Sequence, residues 1–259
     1  MTLSVAVLVS EGRHPASGRV RRADCDARAL ELAMGVPDAA LTVLHAGDAK
    51  SPALRSYLGM GAARLDVLAM PHTADPTTAL TGYLADQKPD LVLAGRRAEY
   101  GEGSGFLPYR IARDLAWPLV SDACAITVEG DRVTIIQALP KGRRRRLRVP
   151  LPALVTVGPA APPARQSAFA KARRGQIVAT PVSAEPATDP WLAGPARPRA
   201  KRLQPIDPNA SAEERLRAVT ELKSTDGEVV TGLTPEAAAE RLLAHLVASG
   251  AIAEPGRTK

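Results

Sequence analysis

The first 120 residues alternate short apolar runs with helical patterns. Residues 3–9, 41–45, 65–68 and 90–94 each form an apolar run of strand length. Such runs, apolar on both alternating faces, predict strands buried in a parallel sheet. Between them lie helical stretches. Residues 26–34 carry Ala29, Leu30, Leu32 and Ala33, and Ser51-Pro52 and Asp75-Pro76 each place a capping residue before a proline. Proline is favoured at the first helical position and Ser or Asp at the cap, so helices are predicted from Ser51-Pro52 and from Asp75-Pro76 to about residue 87. A further helix is predicted over 106–116. Strands alternating with helices mean parallel βαβ units with right-handed crossovers.

The pattern changes after Trp117-Pro118. Residues 119–128 and 132–139 read as two strands around Glu129-Gly130-Asp131, followed by short strands at 147–149 and 153–157. These predict an antiparallel addition to one side of the parallel sheet. Residues 159–210 are rich in Pro, Ala and Arg, which predicts a linker or an arm lying on another surface. Thr234-Pro235-Glu236 then signals a helix to Ala248, with Leu242, Leu243 and Leu246 as its apolar stripe. That stripe must be covered by the chain's own sheet or by a partner, and both readings stay open. The expected architecture is an α/β, three-layer nucleotide-binding domain over 1–180. Its sheet is mostly parallel with an antiparallel addition, and an extended arm ending in a helix occupies 181–259.

Composition narrows the function. Aromatic residues make up only 3% of the 259, so the core must be built from Ala, Val and Leu. Stacking platforms for single-stranded nucleic acid need exposed rings and are disfavoured. Cys25 and Cys124 are the two cysteines, with no CxxC pair, and the four histidines have no ligand spacing, so no metal site is expected. No run of roughly 18 apolar residues occurs, and the start lacks a basic segment followed by a cleavable apolar core. A cytoplasmic protein is expected.

Two corners carry candidate binding chemistry. The strand at 91–94 ends at Gly95 and runs through Arg96-Arg97-Ala98-Glu99-Tyr100-Gly101-Glu102-Gly103-Ser104-Gly105 into a helix near Phe106-Leu107-Pro108. A glycine-rich loop entering a helix N-terminus suits an anion, because free N–H groups converge and glycine lets backbone approach closely. The spacing is neither a dinucleotide fingerprint nor a Walker loop, so an ordinary turn is the competing reading. Gly47-Asp48-Ala49-Lys50-Ser51 forms a second strand-to-helix corner of the same kind.

The run Lys141-Gly142-Arg143-Arg144-Arg145-Arg146-Leu147-Arg148 concentrates the positive charge of a chain whose net charge is +7. It reads as a hairpin turned by Pro140-Lys141-Gly142 with arginines along its edge. Asp122, Glu129 and Asp131 are candidate ion partners. An acidic protein partner fits better than nucleic acid, because no aromatics interleave the run. No nucleophile elbow, HExxH motif or His–carboxylate cluster exists, so no catalytic residue is expected. A binding or carrier role follows rather than an enzyme.

Several segments, in order, resemble the β subunit family of electron transfer flavoproteins. Leu54-Arg55-Ser56-Tyr57-Leu58-Gly59-Met60-Gly61-Ala62-Ala63-Arg64 is similar to that family's helix ending in Met-Gly-Ala-x-Arg. Lys88-Pro89-Asp90-Leu91-Val92-Leu93-Ala94-Gly95 resembles its strand into the nucleotide loop. Leu115-Ala116-Trp117-Pro118, Leu147 with Pro152-Ala153-Leu154-Val155-Thr156, Ala170-Lys171-Ala172-Arg173-Arg174 and the helix from Thr234 continue the match. The resemblance implies a heterodimer with an α subunit, with FAD held by or shared with that subunit and AMP as an optional second ligand. Electrons would arrive from a flavin dehydrogenase and leave to a membrane quinone oxidoreductase. It further implies a nucleotide set of Ser10, Ala46, Gly47, Ser51, Gly95, Gly101, Glu102, Gly103, Ser104, Gly105, Leu107 and Pro108, with Cys25 facing the flavin. Arg165, Gln166 and Phe169 would dock a partner, Phe169 as its anchor, with ordinary buried packing as the competing reading for Phe169.

The chain also departs from the family. Gly105-Phe106-Leu107-Pro108 stands where the family has Asn-Gln-Thr-Gly, Ala23-Asp24-Cys25-Asp26 where it has Asn-Pro-Phe-Asp, and arginines near 143 and 145 where it has acidic positions. The alternative function is an adenine-nucleotide-binding stress or sensor protein on the same sheet type, without electron transfer.

Overall fold

The computed structural model describes residues 2–71, 73–101, 103–184, 211–213, 215–216, 229–249 and 251–252. The chain divides into two compact units, Met1–Leu192 and Ala193–Lys259. The first unit is built on a nine-stranded sheet of order β11-β5-β4-β1-β6-β10-β7-β8-β9. Its central strands are β1 (Ser4–Leu8), β4 (Ala40–Gly47), β5 (Arg64–Ala69), β6 (Leu91–Gly95) and β10 (Ala153–Val157). β7 (Leu119–Glu129), β8 (Arg132–Ala138) and β9 (Arg144–Pro150) form one edge, and β11 (Gln176–Pro181) forms the other. Pairing is parallel from β11 to β7 and antiparallel from β7 through β9.

Helices cover both faces of the parallel part. Val5, Val7 and Val9 point to the face carrying α1 (Asp24–Met34) and α2 (Pro52–Leu58), where Ala29, Leu30, Leu54 and Leu58 close the core. Ala6 and Leu8 point to the opposite face, against Leu80 and Leu84 of α3 (Pro76–Gln87) and Ile111 of α4 (Leu107–Asp114). The period of two along β1 therefore feeds two separate cores, which gives three layers. In the second unit, α6 (Pro235–Ala248) begins as expected, Thr234 accepting a hydrogen bond from the Ala237 N–H. Leu242 is 59% exposed.

Four details differ from the sequence reading. β10 is not part of the antiparallel addition; it inserts between β6 and β7 in the parallel sheet. A hairpin of β2 (Glu11–Arg13) and β3 (Val20–Arg22) follows β1, where no strands were expected. The start of the Pro-rich stretch is not a bare linker, since α5 (Phe169–Arg174) and β11 lie within it. β11 pairs with β5 over six residues and Ile177 packs against the core, so backbone hydrogen bonds and an apolar side chain together order the segment. Fourth, the helix expected over 106–116 spans only Leu107–Asp114.

Candidate functional site

Parallel sheets of this kind accept ligands beyond the carboxyl ends of the strands, where the strand order reverses. Here that point lies between β1 and β6, because β4 continues the sheet on one side of β1 and β10 lies beyond β6. The two glycine corners leave β4 and β6 and so flank the end of β1.

Asp26 joins the ends of β1 and β6. It sits in the first turn of α1 with its side chain buried. Its carboxylate accepts the Ser10 N–H at 2.7 Å, the Ser10 hydroxyl at 2.5 Å and the Gly95 N–H at 3.0 Å. Burial pushes its pKa up to about 7, although the hydrogen bonds from Ser10 and Gly95 favour the ionised form. Gly95 must be glycine, since a Cβ there would stand 2.0 Å from Asp26 Oδ1. Beside it the buried Tyr57 hydroxyl donates to Ser10 O at 2.8 Å and accepts from the Ala23 N–H at 2.8 Å. Burial raises the Tyr57 pKa well above its ordinary value, so the phenol stays neutral.

The loop after β6 is latched onto this cluster. Glu99 accepts the Asp24 N–H at 2.7 Å and Arg21 Nη2 at 2.9 Å, joining the loop to the start of α1 and to the β2–β3 hairpin. Arg13 lies over the Tyr100 ring at 3.9 Å. Beyond the latch, Gly101, Gly103 and Gly105 all have positive φ, at 84°, 62° and 80°. A Cβ on Gly105 would meet Arg96 O at 2.8 Å, so glycine is required by both conformation and space. Glu102 lies outside the described residues.

At the second corner, Gly47 has φ of 147° and a Cβ there would stand 2.8 Å from His45 Nε2. His45 is buried, its Nδ1 lies 2.8 Å from Val9 O, and burial lowers its pKa, which keeps it neutral. A cavity of about 460 Å³ opens at the ends of β4 and β5, lined by Gly47, Asp48, Ala49, Lys50, Ala69, Met70 and Pro71. Ala46 leads into it on β4.

Several expected side-chain roles are otherwise engaged. The amide and hydroxyl of Ser10 and the amide of Gly95 are taken by Asp26. Ser51 precedes α2 but does not cap it; its hydroxyl donates to Glu11 at 2.7 Å. Ser104 Oγ accepts the Phe106 N–H at 3.2 Å in a local turn, and no side chain caps α4. Pro108 is buried and Leu107 packs toward the α3–α4 core, so neither side chain is presented at the loop surface. Cys25 is half-buried in α1, and burial raises its thiol pKa. Sequence reasoning gave no role to Tyr57, Glu99 or His45. Asp26 could have been flagged, because a carboxylate there falls on the same helical stripe as Leu30 and Ala33.

The expected docking residues separate likewise. Arg165 makes a bidentate ion pair with Glu31, its Nε and Nη2 each within 2.8 Å of a carboxylate oxygen, and this pairing lowers the Glu31 pKa. Gln166 is exposed, and Phe169 is 77% exposed at the start of α5 rather than buried in packing. Arg173 lies 5.8 Å from the Phe169 ring. The two border a cavity of about 560 Å³ together with Arg55, Ser56, Ser167 and Ala172.

Among the described residues no helix is long and apolar enough to cross a membrane. A family profile for the electron transfer flavoprotein domain matches residues 18–185. Electron transfer flavoprotein subunit beta of Chromohalobacter salexigens is 49% identical over 251 residues, covering 94% of this chain and 94% of its own. With that match running almost end to end, the chain belongs to the β subunit family of electron transfer flavoproteins.

Proposed function

We propose that this chain is the β subunit of a heterodimeric electron transfer flavoprotein in the cytoplasm. It takes electrons from a flavin dehydrogenase and passes them toward a membrane quinone oxidoreductase. The observation that carries this reading is the 49% identity to a β subunit across 94% of both chains. FAD, held by or shared with the α subunit, supplies the redox chemistry; this chain contributes a surface, a nucleotide corner and docking elements. The exposed Leu242 and Leu243 on α6 support seating of that helix on the α subunit. The exposed Phe169 beside its cavity supports an anchor for the dehydrogenase.

An adenine nucleotide, AMP, fits the remaining donors better than the expected set. Ser10 and Gly95 are engaged by Asp26, so backbone N–H groups around Gly101, Gly103 and Gly105 would take the phosphate. The cavity from Gly47 to Lys50 is the neighbouring concavity for the remainder. Denaturing extraction of the purified heterodimer, read by mass spectrometry, tests the placement. The wild-type complex is expected to release FAD and AMP. Gly105→Val is expected to lose AMP while keeping FAD and the α subunit. Wild-type AMP content in that variant would contradict the placement.

A further inference from the structure

The two strand-to-helix corners offer opposite hydrogen-bonding chemistry. The corner after β6 is a glycine loop whose backbone N–H groups suit an anion. At the corner after β4 the donors turn inward. Asp48 Oδ1 accepts the Lys50 N–H at 2.8 Å, Asp48 O accepts the Ser51 N–H at 3.2 Å, and the Ser51 hydroxyl donates to Glu11. What this corner presents instead is an acceptor. His45 is only 6% exposed, and its Nδ1 lies 2.8 Å from Val9 O. A carbonyl oxygen only accepts, so Nδ1 carries the proton. Burial keeps the ring neutral, although Glu11 and Asp48 lie near it. Nε2 is left with its lone pair, and it has no hydrogen-bond partner among the described residues. It is aimed at Gly47: a Cβ there would stand 2.8 Å from Nε2, against 3.3 Å from Cε1 and 3.8 Å from Cδ2. Gly47 also lines the cavity of about 460 Å³. The missing side chain at Gly47 therefore leaves a buried acceptor uncovered beside that cavity.

We propose that His45 Nε2 accepts a hydrogen bond from the exocyclic amine of an adenine base, and so selects adenine over a 6-oxopurine. The proposal rests on the nucleotide reading above. Polarity orients the ligand: the phosphate accepts from the N–H groups of the β6 loop, and the amine donates to His45. The spacing agrees. β1 separates β4 from β6, so the two corners stand two strand spacings apart, about 10 Å. A mononucleotide covers that length from its phosphate to the far edge of its base, whereas its ribose hydroxyls lie nearer the phosphate. Hypoxanthine would set a carbonyl oxygen against the Nε2 lone pair. The ring cannot answer by switching tautomer, because that breaks its bond to Val9 O. A buried acceptor left unpaired is costly, and that cost is the basis of discrimination.

Isothermal titration of the full-length heterodimer, depleted of nucleotide, tests this with AMP, IMP and purine riboside monophosphate. Wild type is expected to bind AMP about 100-fold more tightly than IMP, and about tenfold more tightly than the purine nucleotide, which lacks the amine. His45→Asn keeps a donor for Val9 O where Nδ1 stood but places no acceptor at Nε2. It is expected to bind AMP about tenfold more weakly and to hold AMP and IMP within about threefold of each other, with FAD and the α subunit retained. His45→Gln, whose amide reaches the Nε2 position and can turn either its oxygen or its nitrogen outward, is expected to restore AMP binding and to admit IMP as well. The wild-type comparison stands even if neither variant folds. Equal AMP and IMP affinity in wild type, or the wild-type preference kept in His45→Asn, would overturn the proposal and leave only water at Nε2. A loss in His45→Asn confined to the preference for AMP over 2′-deoxy-AMP would place a ribose hydroxyl there and overturn it too. A wild-type heterodimer that binds none of these nucleotides would instead remove the nucleotide reading, and this proposal with it.

Discussion

The two halves of the sheet solve burial differently. In the parallel half, β1, β6 and β10 are enclosed by helices on both faces, and Val5, Leu91, Leu93 and Val155 are almost completely buried. In the antiparallel half, β8 alternates buried Val133 and Ile135 with half-buried Thr134 and Ile136, and β9 leaves its arginines in solvent. The first half behaves as scaffold, and its strand ends converge on Asp26. The second half offers a surface. The proposed nucleotide corner lies in the half where strands are most buried, and the exposed arginines lie in the half where they are least.

The largest effect should come from cavities in the enclosed half. Leu93→Ala removes a fully buried side chain and is expected to cost about 2–5 kcal/mol. Ile136→Ala on the open face of β8 is expected to cost less than about 1 kcal/mol. Urea unfolding of both variants reads the difference, and similar losses would mean the outer face is covered after all. Next in size is Gly95→Ala, which forces a methyl against Asp26 Oδ1 and is expected to cost about 1–3 kcal/mol.

Asp26 gives a pH-dependent contrast. Its folded pKa of about 7 lies above the ordinary 3.8, so the folded protein keeps a proton that the unfolded chain releases. The associated stability is fully present below about pH 4 and is lost as pH rises through about 7. Unfolding free energies of wild type and Asp26→Asn, compared from pH 4 to 8, should therefore shift in the variant's favour as pH rises. A constant gap would show that the carboxyl titrates near its usual value. The smallest effect is expected on the exposed edge face: Arg146→Ala should change stability by no more than about 0.5 kcal/mol. A larger loss would make that arginine structural.

The same contrast explains what was legible in the sequence. Continuous apolar runs located β1, β4, β5 and β6, and alternation located β7 and β8, because side-chain period follows burial directly. β11 was missed because its short Ile177-Val178-Ala179 run sits inside a stretch dominated by Pro, Ala and Arg, and its pairing to β5 is set by tertiary placement. The order of β10 was missed because neighbours in a sheet are set by crossovers, not by local sequence. At the site, the glycines of the β6 corner were readable because positive φ and close approach demand that residue type. The role of Asp26 was not, because its donors come from the ends of β1 and β6, 16 and 69 residues away. The ion partners expected for the arginine run were likewise a matter of tertiary placement; Glu129 and Asp131 make no ion pair among the described residues.

The central claim is that this chain works as one half of a flavin-carrying pair. Co-expression with its α subunit, with the affinity tag on this chain alone, tests it through the absorbance spectrum of the purified material. The account predicts a yellow one-to-one complex with a flavin spectrum that is bleached by reduction and returns on reoxidation. A colourless, folded and stable chain that carries no α subunit would contradict it.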